Sequence, residues 1–293
     1  MSAPHIVVLS PAKLNLVLRV LGRRPDGYHD LSMLNLAVDL YDRVEIGVAE
    51  HEGVRLSCNH PGVPSGPENL AVMAAEKLFN EYPGSRVGLD ISIEKKVPVA
   101  GGLGGGSGNA AAVLWGLSRL LRIELPPGRL LELALELGSD VPFFLFRSPA
   151  WAWGRGEKLE DAAGELPAVF VVVGFPFGLS TGEIFRTYDL TRPYDGSKVE
   201  NLGGTGVIPP PRDWENDLEA VSVALRGEIA VVRNSLEEMG ALAARMSGSG
   251  PTVFGVFSDD ASALRARDYV GSVHGLAGVV CRPVRGGVLQ ATT

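Results

Sequence analysis

The strongest chemical signal in the sequence is a glycine-rich segment at 98–109, PVAGGLGGGSGN. Consecutive glycines let backbone N–H groups approach an anion closely, and the N-terminus of a following helix adds a partial positive charge. The segment leads directly into an apolar, Ala/Leu-rich stretch that predicts a buried helix over 109–121. It therefore predicts a phosphate-binding loop, with a flexible turn as the alternative. The Lys-Ser/Thr ending of a Walker A loop and the acidic residue of a Rossmann fingerprint are both missing.

Two charged residues elsewhere, Lys13 and Asp140, are candidates for proton transfer or charge stabilisation. Lys13 stands just before an alternating apolar pattern that predicts a strand, so Lys13 and Asn15 would project from the same face. Asp140 follows a helix predicted over 128–138. Taken alone, such a lysine is usually solvated and such an aspartate usually caps a helix or lies in a turn. Neither residue identifies a site by itself.

The composition excludes several classes of protein. The 293 residues include 27 Lys+Arg and 34 Asp+Glu, a formal charge of −7, and this balance lacks the basic stripe that nucleic-acid binding needs. The two cysteines, Cys58 and Cys281, are far apart and suggest neither a disulfide framework nor a zinc module. No segment has the roughly 18 consecutive apolar residues of a membrane span, and the N-terminus does not read as a signal peptide. We therefore expect a cytoplasmic protein with no membrane and no nucleic-acid partner.

The apolar patterns mix strands and helices, which predicts an α+β organisation. Strands are expected at 5–20, 31–40, 43–48, 87–94, 150–153, 168–174, 251–257 and 276–284, and helices at 68–80, 109–121, 128–138, 216–225, 228–239 and 259–271. Small and polar residues at 160–165 predict a boundary between two domains, 1–163 and 164–293. Residues 189–213 have no periodicity, so they form either a mobile lid or a solvated insertion.

Seven stretches, in order along almost the whole chain, resemble one family of enzymes. PAKLNL at 11–16, PVAGGLGGGSGNAA at 98–111 and MSGSGPTVFG at 246–255 resemble the GHMP kinases, the superfamily of galactokinase, homoserine kinase and mevalonate kinases. Within it, RRPDGYHDL, GSDVPFFL, WGRGEKL and NDLE are similar to the kinases of 4-diphosphocytidyl-2-C-methyl-D-erythritol. The resemblance implies an ATP-binding N-terminal domain like domain 2 of ribosomal protein S5, a C-terminal ferredoxin-like α/β sandwich, and an active site in the cleft between them.

The activity that the resemblance implies is ATP-dependent phosphorylation of the 2-hydroxyl of that compound, in the non-mevalonate route to isoprenoid precursors. Asp140 matches the family's catalytic aspartate, and Lys13 matches its partner lysine. Phosphoryl transfer needs an oriented hydroxyl, a place for its proton and cations over the transferred group. Asp140 would accept the proton and Lys13 would orient Asp140. Because no covalent nucleophile is recognisable, we expect direct in-line transfer.

The resemblance also implies which residues bind the two substrates. Tyr28 would stack on the cytosine, and His29 would hydrogen-bond to it through its backbone or its ring. Asn15 and Thr181 match further substrate contacts. Asn69, Leu70 and Lys95 match the adenine end, although Asn69 is equally readable as a helix N-cap. The phosphate loop would consist of Pro98, Val99, Ala100, Gly101, Gly102, Leu103, Gly104, Gly105, Gly106, Ser107 and Gly108, and the closing loop of the second domain would consist of Gly248, Ser249 and Gly250.

The sequence departs from the family pattern at the end of the loop. The family usually reads Gly-Gly-Gly-Ser-Ser-Asp, whereas this chain has Gly108 and Asn109 in the last two places. Asn109 is expected to cap the helix, and a negative charge near the phosphates is lost. The resemblance implies ATP and Mg²⁺ as cofactors. With no Glu in the following helix, we expect ATP oxygens to hold most of the metal, with Ser107 as the best protein ligand.

Two other functions stay open as alternatives. Another GHMP small-molecule kinase, of the homoserine or mevalonate type, would give Tyr28 and His29 no cytosine to bind. A catalytically silent nucleotide-binding module is the second alternative, and the presence of both Lys13 and Asp140 argues against it. The expected partner is a small cytidine-diphosphate substrate, and the chain would be a monomer or a homodimer.

Overall fold

The structure is a computed structural model that describes residues 3–166, 169–191 and 206–291. In chain order the strands are β1 (His5–Arg23), β2 (His29–Ala49), β3 (Val54–Cys58), β4 (Gly88–Glu94), β5 (Ala150–Gly154), β6 (Lys158–Asp161), β7 (Val169–Val173), β8 (Ala243–Met246), β9 (Val253–Phe257), β10 (Gly278–Cys281) and β11 (Leu289–Gln290). The α-helices are α1 (Leu70–Glu81), α2 (Gly105–Leu120), α3 (Arg129–Leu137), α4 (Thr181–Thr191), α5 (Glu219–Leu225), α6 (Glu228–Glu238) and α7 (Asp260–His274). The predicted α+β organisation is confirmed.

Two long antiparallel strands, β1 and β2, form the centre of the first sheet. β11 lies on the outer side of β1, β4 and then β3 lie beyond β2, and β5 pairs with another part of β2 and carries β6. The pattern of polar residues predicts two strands at 31–40 and 43–48, but β2 continues through Tyr41 and Asp42. The strand can continue because the Asp42 carboxylate, although fully buried, is hydrogen-bonded to the segment that follows β4.

Helices α1 and α2 cover one face of the first sheet and complete its core. The side chains of Ala74 and Leu78 on α1 and of Ala111, Leu114 and Leu117 on α2 are fully buried with those of the sheet. The apolar faces of these helices explain their burial, since each helix must remove its hydrophobic stripe from water. The helix predicted from Asn109 begins earlier, at Gly105, so the end of the glycine segment forms its first turn.

The second sheet has the strand order β10-β7-β9-β8 and is antiparallel throughout. Helices α6 and α7 pack against it. The first β-α-β half contains β7 and β8, and the second contains β9 and β10. Each half places one strand in the middle of the sheet and one at an edge, which is the ferredoxin-like arrangement expected from the sequence. The segment between β7 and β8 is longer than a single helix, because it contains α4, α5 and α6.

The strands of the first sheet precede those of the second sheet in the chain, except for the last strand, which belongs to the first sheet. β6 ends at Asp161 and β7 begins at Val169, while β11 returns to the first sheet and pairs with β1. The division into domains 1–163 and 164–293 therefore stays a prediction. Of the segment at 189–213, the first three residues end α4, and residues 192–205 lie outside the described residues.

Within the described part of the chain, no helix combines the length and the apolar character that crossing a lipid bilayer would require.

Both cysteines are free thiols, and they differ in their surroundings. Burial raises the pKa of the Cys281 thiol to about 12, so it contains almost no reactive thiolate at pH 8. We expect iodoacetamide at pH 8 to modify the native protein at Cys58 only and to modify both cysteines after unfolding. Intact-mass spectrometry with peptide mapping checks this, and alkylation of Cys281 in the native protein would contradict it.

Candidate active site

A cleft of about 1190 Å³ lies where the loops of the two sheets meet. Most of the residues predicted from the sequence line it: Lys13, Asn15, Tyr28, His29, Asn69, Leu70, Lys95, Asp140, Thr181, Gly248, Ser249 and the loop from Pro98 to Ser107. Gly108 and Gly250 do not line it. Gly108 is buried, and a Cβ on this residue would lie 2.4 Å from Oγ of Ser10. The cleft thus brings together residues as far apart in the sequence as Lys13 and Ser249.

Lys13 and Asp140 form an ion pair in this cleft. Lys13 lies on β1 and Asp140 lies just after α3, and the Lys13 Nζ is 3.2 Å from Asp140 Oδ1 and 3.1 Å from Oδ2. The lysine side chain is 5% exposed and the aspartate side chain is 35% exposed. A buried ammonium needs an opposite charge close by, and Asp140 supplies it. The carboxylate remains open to the cleft, where it can accept a proton from a bound hydroxyl.

Asn15 connects the ion pair to the second sheet. Its side-chain oxygen accepts a hydrogen bond from Lys13 Nζ at 3.2 Å, and its Nδ2 donates to Oδ1 of Asn35 at 2.7 Å. The backbone N–H of Asn15 donates to the Ser247 hydroxyl. Because both ends of the amide are engaged, Asn15 fixes the position of Lys13. Its predicted contact with a substrate stays a prediction. Asn35 carries no sequence motif, whereas Ser247 belongs to the MSGSGPTVFG stretch at 246–255 but was not singled out as a site residue.

The glycine loop and the loop after β8 touch each other directly. The carbonyl oxygen of Gly102 accepts a hydrogen bond from the Ser247 hydroxyl at 3.1 Å. A Cβ on Gly102, whose φ is +77°, would lie 2.1 Å from the carbonyl oxygen of Ser247. Gly248 approaches from the other side, and a Cβ there would lie 3.0 Å from the carbonyl oxygen of Gly102. Only residues without side chains permit this approach, which closes the cleft between the two sheets.

The predicted phosphate cradle consists of the loop and the first turn of α2. Gly104 is the N-cap, with a left-handed φ of +69°, and the carbonyl of Gly104 accepts the first helical hydrogen bond, from the N–H of Gly108. The backbone N–H groups of Gly105, Gly106 and Ser107 therefore have no partner within the helix and can bind an anion. The prediction that Asn109 caps the helix is wrong. Asn109 is buried inside α2, because the helix starts four residues earlier.

A tight turn presents Tyr28 to the cleft. The N–H of Arg24 donates to the carbonyl of Tyr28 at 2.7 Å, and the N–H of Tyr28 donates to Oδ1 of Asp26 at 3.1 Å. Desolvation alone would raise the pKa of the Asp26 carboxyl. The hydrogen bonds from the Tyr28 N–H and the Arg24 guanidinium outweigh this effect and hold the pKa below its ordinary value. The Tyr28 ring is 53% exposed, and the Arg155 guanidinium carbon lies 3.9 Å from its centroid. One face of the ring thus packs against a cation, and Arg155 was not predicted from the sequence.

The ring of His29 is occupied by protein groups. Its Nε2 lies 2.7 Å from Oδ1 of Asp189, and its plane stacks on Phe185 with the ring centroids 4.6 Å apart. Both partners lie on α4, which the sequence analysis did not predict. These contacts engage Nε2 and one face of the ring.

The loop that faces the glycine segment is held by two side chains from α4 and from the turn before α5. The Thr181 and Ser249 hydroxyls are 2.9 Å apart. Asn216, the first residue of the NDLE stretch, donates from Nδ2 to the carbonyls of Met246 and Gly248, both at 2.8 Å. Asn216 is therefore a structural support of the closing loop, and its motif is the signal through which it could have been found.

Among the residues predicted to contact adenine, Asn69 and Lys95 both have protein partners. Asn69 caps α1, with its Oδ1 accepting from the N–H of Ala71 at 2.9 Å, while it also lines the cleft. Lys95 is ion-paired with Asp42 and donates from Nζ to Oδ1 of Asn109 at 3.2 Å. The predicted adenine contacts of Asn69, Leu70 and Lys95 stay predictions.

No group of three or more His, Cys, Asp or Glu side chains suited to a metal ion occurs among residues 3–166, 169–191 and 206–291. Ser107 lies half-buried in the first turn of α2 and lines the cleft. It offers a single hydroxyl oxygen.

The chain matches two families in succession, described as GHMP kinases N terminal domain over residues 69–148 and GHMP kinases C terminal over residues 211–274. It is 43% identical to a 4-diphosphocytidyl-2-C-methyl-D-erythritol kinase of Syntrophotalea carbinolica, with 94% of this chain and 98% of that protein covered. A protein of the same name from Anaeromyxobacter dehalogenans is 46% identical, with 86% and 81% covered.

Solved structures agree with these matches. The crystal structure of a 4-(cytidine 5'-diphospho)-2C-methyl-D-erythritol kinase is 34% identical, with a TM-score of 0.75 and with 96% of this chain and 100% of that chain covered. A homoserine kinase from Cytophaga hutchinsonii, at 18% identity and a TM-score of 0.72 with 98% of each chain covered, shares the fold. The chain belongs to the 4-diphosphocytidyl-2-C-methyl-D-erythritol kinase family of the GHMP kinases, which are ATP-dependent phosphotransferases.

Proposed function

We propose that the protein transfers the γ-phosphoryl group of ATP to the 2-hydroxyl of 4-diphosphocytidyl-2-C-methyl-D-erythritol, a step of the non-mevalonate isoprenoid route. The observation that carries this proposal is the Lys13–Asp140 ion pair at 3.1 Å. The glycine loop and Tyr28 line the same cleft as this ion pair. The names of the relatives support the choice of acceptor.

In this proposal Asp140 accepts the proton of the acceptor hydroxyl as its oxygen attacks phosphorus. Lys13 has two tasks, which are to hold the carboxylate in place and to stabilise negative charge on the reacting oxygens. Its burial strengthens the second effect, because charges interact more strongly away from water. Since Lys13 is fixed by both Asp140 and Asn15, little reorganisation is needed before transfer.

The triphosphate would bind to the free N–H groups at the start of α2, with Gly248 and Ser249 adding donors from the opposite loop. Mg²⁺ would neutralise phosphate charge during transfer. The Ser107 hydroxyl at the start of α2 would supply one protein oxygen to a metal bound mainly by nucleotide oxygens and water. Asn69 and Leu70 would surround the adenine, and Lys95, whose ammonium lies beside Gly105, would lie between the adenine and the phosphates.

At the acceptor end, the exposed face of Tyr28 would stack on cytosine, and the backbone of His29 would read the base edge. Asn15 and Thr181 would lie along the remainder of the acceptor. A mevalonate or homoserine acceptor has no base, so it would leave this end of the cleft unused. This difference favours the cytidylyl acceptor over mevalonate and homoserine.

An ADP-release assay with equal concentrations of the cytidylyl compound, mevalonate and homoserine tests the acceptor. We expect turnover with the cytidylyl compound alone. Turnover with mevalonate or homoserine but not with the cytidylyl compound would overturn the assignment, and nucleotide binding without any turnover would favour a silent module. With ATP chiral at the γ-phosphorus, direct transfer inverts the configuration, and retention would contradict it.

Tyr28→Ala is expected to raise the KM for the cytidylyl acceptor by about tenfold or more, because stacking on an aromatic ring contributes about 1–3 kcal/mol per base. The value of kcat should change little, since Tyr28 is proposed to bind the base and not the reacting atoms. Steady-state kinetics at saturating ATP measures both. Tyr28→Phe retains the ring and is the matched control. An unchanged KM in the alanine variant would remove Tyr28 from the acceptor site.

A further inference from the structure

Asp42 is a fully buried carboxylate that the proposed mechanism does not use. It lies on β2 and is 0% exposed. Its Oδ1 accepts hydrogen bonds from the backbone N–H groups of Lys96 at 2.8 Å and Val97 at 2.9 Å. Its Oδ2 accepts from Lys95 Nζ, and from Asn109 Nδ2 at 3.0 Å. Four donors converge on one carboxylate, so its full burial is compensated.

These contacts join the three elements that surround the nucleotide end of the cleft. Residues 95–97 connect β4 to the glycine loop, and Asn109 lies in the second turn of α2. Lys95 completes the triangle by donating to Oδ1 of Asn109 at 3.2 Å. A Cβ on Gly105 would lie 2.8 Å from the Lys95 Nζ. The ammonium is therefore held against the first residue of α2, where phosphate oxygens would bind.

The charges of this triangle balance only with a neutral side chain at position 109. The side chains of Lys95 and Asp42 are 4% and 0% exposed, so they form one cation and one anion away from water. Asn109 is itself 4% exposed and both donates and accepts within the triangle. An aspartate there would place a second buried carboxylate beside Asp42 and lose the Nδ2 donor. The net negative charge would lie next to the bound phosphates and weaken their binding.

We propose that Asp42 is a positioning residue of the ATP site, which acts through Lys95 and the Lys96–Val97 backbone, and that Asn109 is its matched partner. Asp42 does not reach the cleft wall, whereas Lys95 and Asn109 do. Its removal should therefore change nucleotide affinity without a direct contact. Lys95, left without its counterion, would become hydrated or move. The backbone N–H groups of Lys96 and Val97, just before the glycine loop, would lose the acceptor that fixes them.

The test compares Asp42→Asn, Asn109→Asp and the double variant that exchanges the two side chains. Each single variant should weaken binding of a non-hydrolysable ATP analogue by about tenfold or more, because each unbalances the buried charges. In the double variant one carboxylate again faces one lysine, so affinity should return to within about threefold of the wild type, a strongly non-additive result. Calorimetry on the free enzyme measures this without any acceptor, so the result does not depend on which alcohol is phosphorylated.

Glu81→Gln is the control, because it removes one carboxylate from an ion pair with Arg129 outside this cleft. It should leave nucleotide affinity unchanged. Thermal unfolding of all variants separates stability from affinity. Single variants that lower the unfolding temperature but bind nucleotide as tightly as the control would overturn the proposal. An exchange variant whose loss of nucleotide affinity equals the sum of the two single losses would also overturn it. If Asp42→Asn does not fold, Asn109→Asp and the exchange variant decide the same question.

Discussion

Asp140→Asn is expected to lower kcat by about 10³-fold, within the range of about 10²–10⁴ that a positioned general base contributes. Asparagine has the same shape but cannot accept the proton of the acceptor hydroxyl. It also leaves the Lys13 ammonium, whose side chain is 5% exposed, without its counterion. Nucleotide affinity should change far less than kcat, because the phosphate cradle is formed by backbone groups. The ADP-release assay gives kcat, and calorimetry gives the affinity.

Glu68→Gln is the matched control for this prediction. Glu68 also lines the cleft, but it is exposed and lies at the nucleotide end, so its amide variant should retain kcat to within about threefold, as surface substitutions usually do. Turnover of Asp140→Asn at the rate of the control would remove Asp140 from its role as the base. A large loss of nucleotide affinity together with kcat would instead show that the carboxylate organises the cradle.

Gly102→Ala is expected to give the second large effect, a loss of about 10²-fold in kcat/KM, because catalytic geometry is sensitive to shifts of about 1 Å. A Cβ at this position would lie 2.1 Å from the carbonyl oxygen of Ser247. The glycine loop and the closing loop must then move apart, which separates the two sets of phosphate donors. A lower unfolding temperature should accompany the kinetic loss.

Gly53→Ala separates the clash from the backbone strain. Gly53 has nearly the same φ, +78°, but nothing lies within 4 Å of an added Cβ. Both variants carry the strain of a left-handed alanine, which costs of order 1–3 kcal/mol, and only Gly102→Ala meets a neighbour. Steady-state kinetics and thermal melts on the pair measure the difference. Equal behaviour of the two variants would show that the contact between the loops is not needed.

The sequence predicted the cradle from its own residues, whereas it predicted the partnership of Lys13 with Asp140 only through the resemblance to the GHMP kinases. Glycine spacing before an apolar helix indicated the cradle directly, and the Pro-Ala-Lys and Gly-Ser-Asp motifs indicated Lys13 and Asp140. Their contact was not visible from periodicity, since 127 residues separate the two positions. Only the pairing of β1 with its neighbours and the position of the segment after α3 bring them together.

The features that the sequence did not predict depend on tertiary contacts. Asp42 interrupts an apolar run, which suggests the end of a strand, but its hydrogen bonds to residues 95–97 let β2 continue. The true start of α2 was obscured because glycine is a poor helix former, and Gly105–Gly108 are helical only in the context of the loop contacts. Helix α4 was missed because its apolar residues Ile184 and Tyr188 are few, and it brings Phe185 and Asp189 to His29.

The most direct test of the central claim is a crystal structure of the enzyme with a non-hydrolysable ATP analogue and the cytidylyl acceptor. We predict the 2-hydroxyl oxygen at about 2.6–3.2 Å from a carboxylate oxygen of Asp140 and at about 3–3.5 Å from the γ-phosphorus. Lys13 should contact both groups, and the cytosine should stack on Tyr28. An acceptor hydroxyl beyond the reach of Asp140, or a triphosphate bound away from the start of α2, would contradict the account.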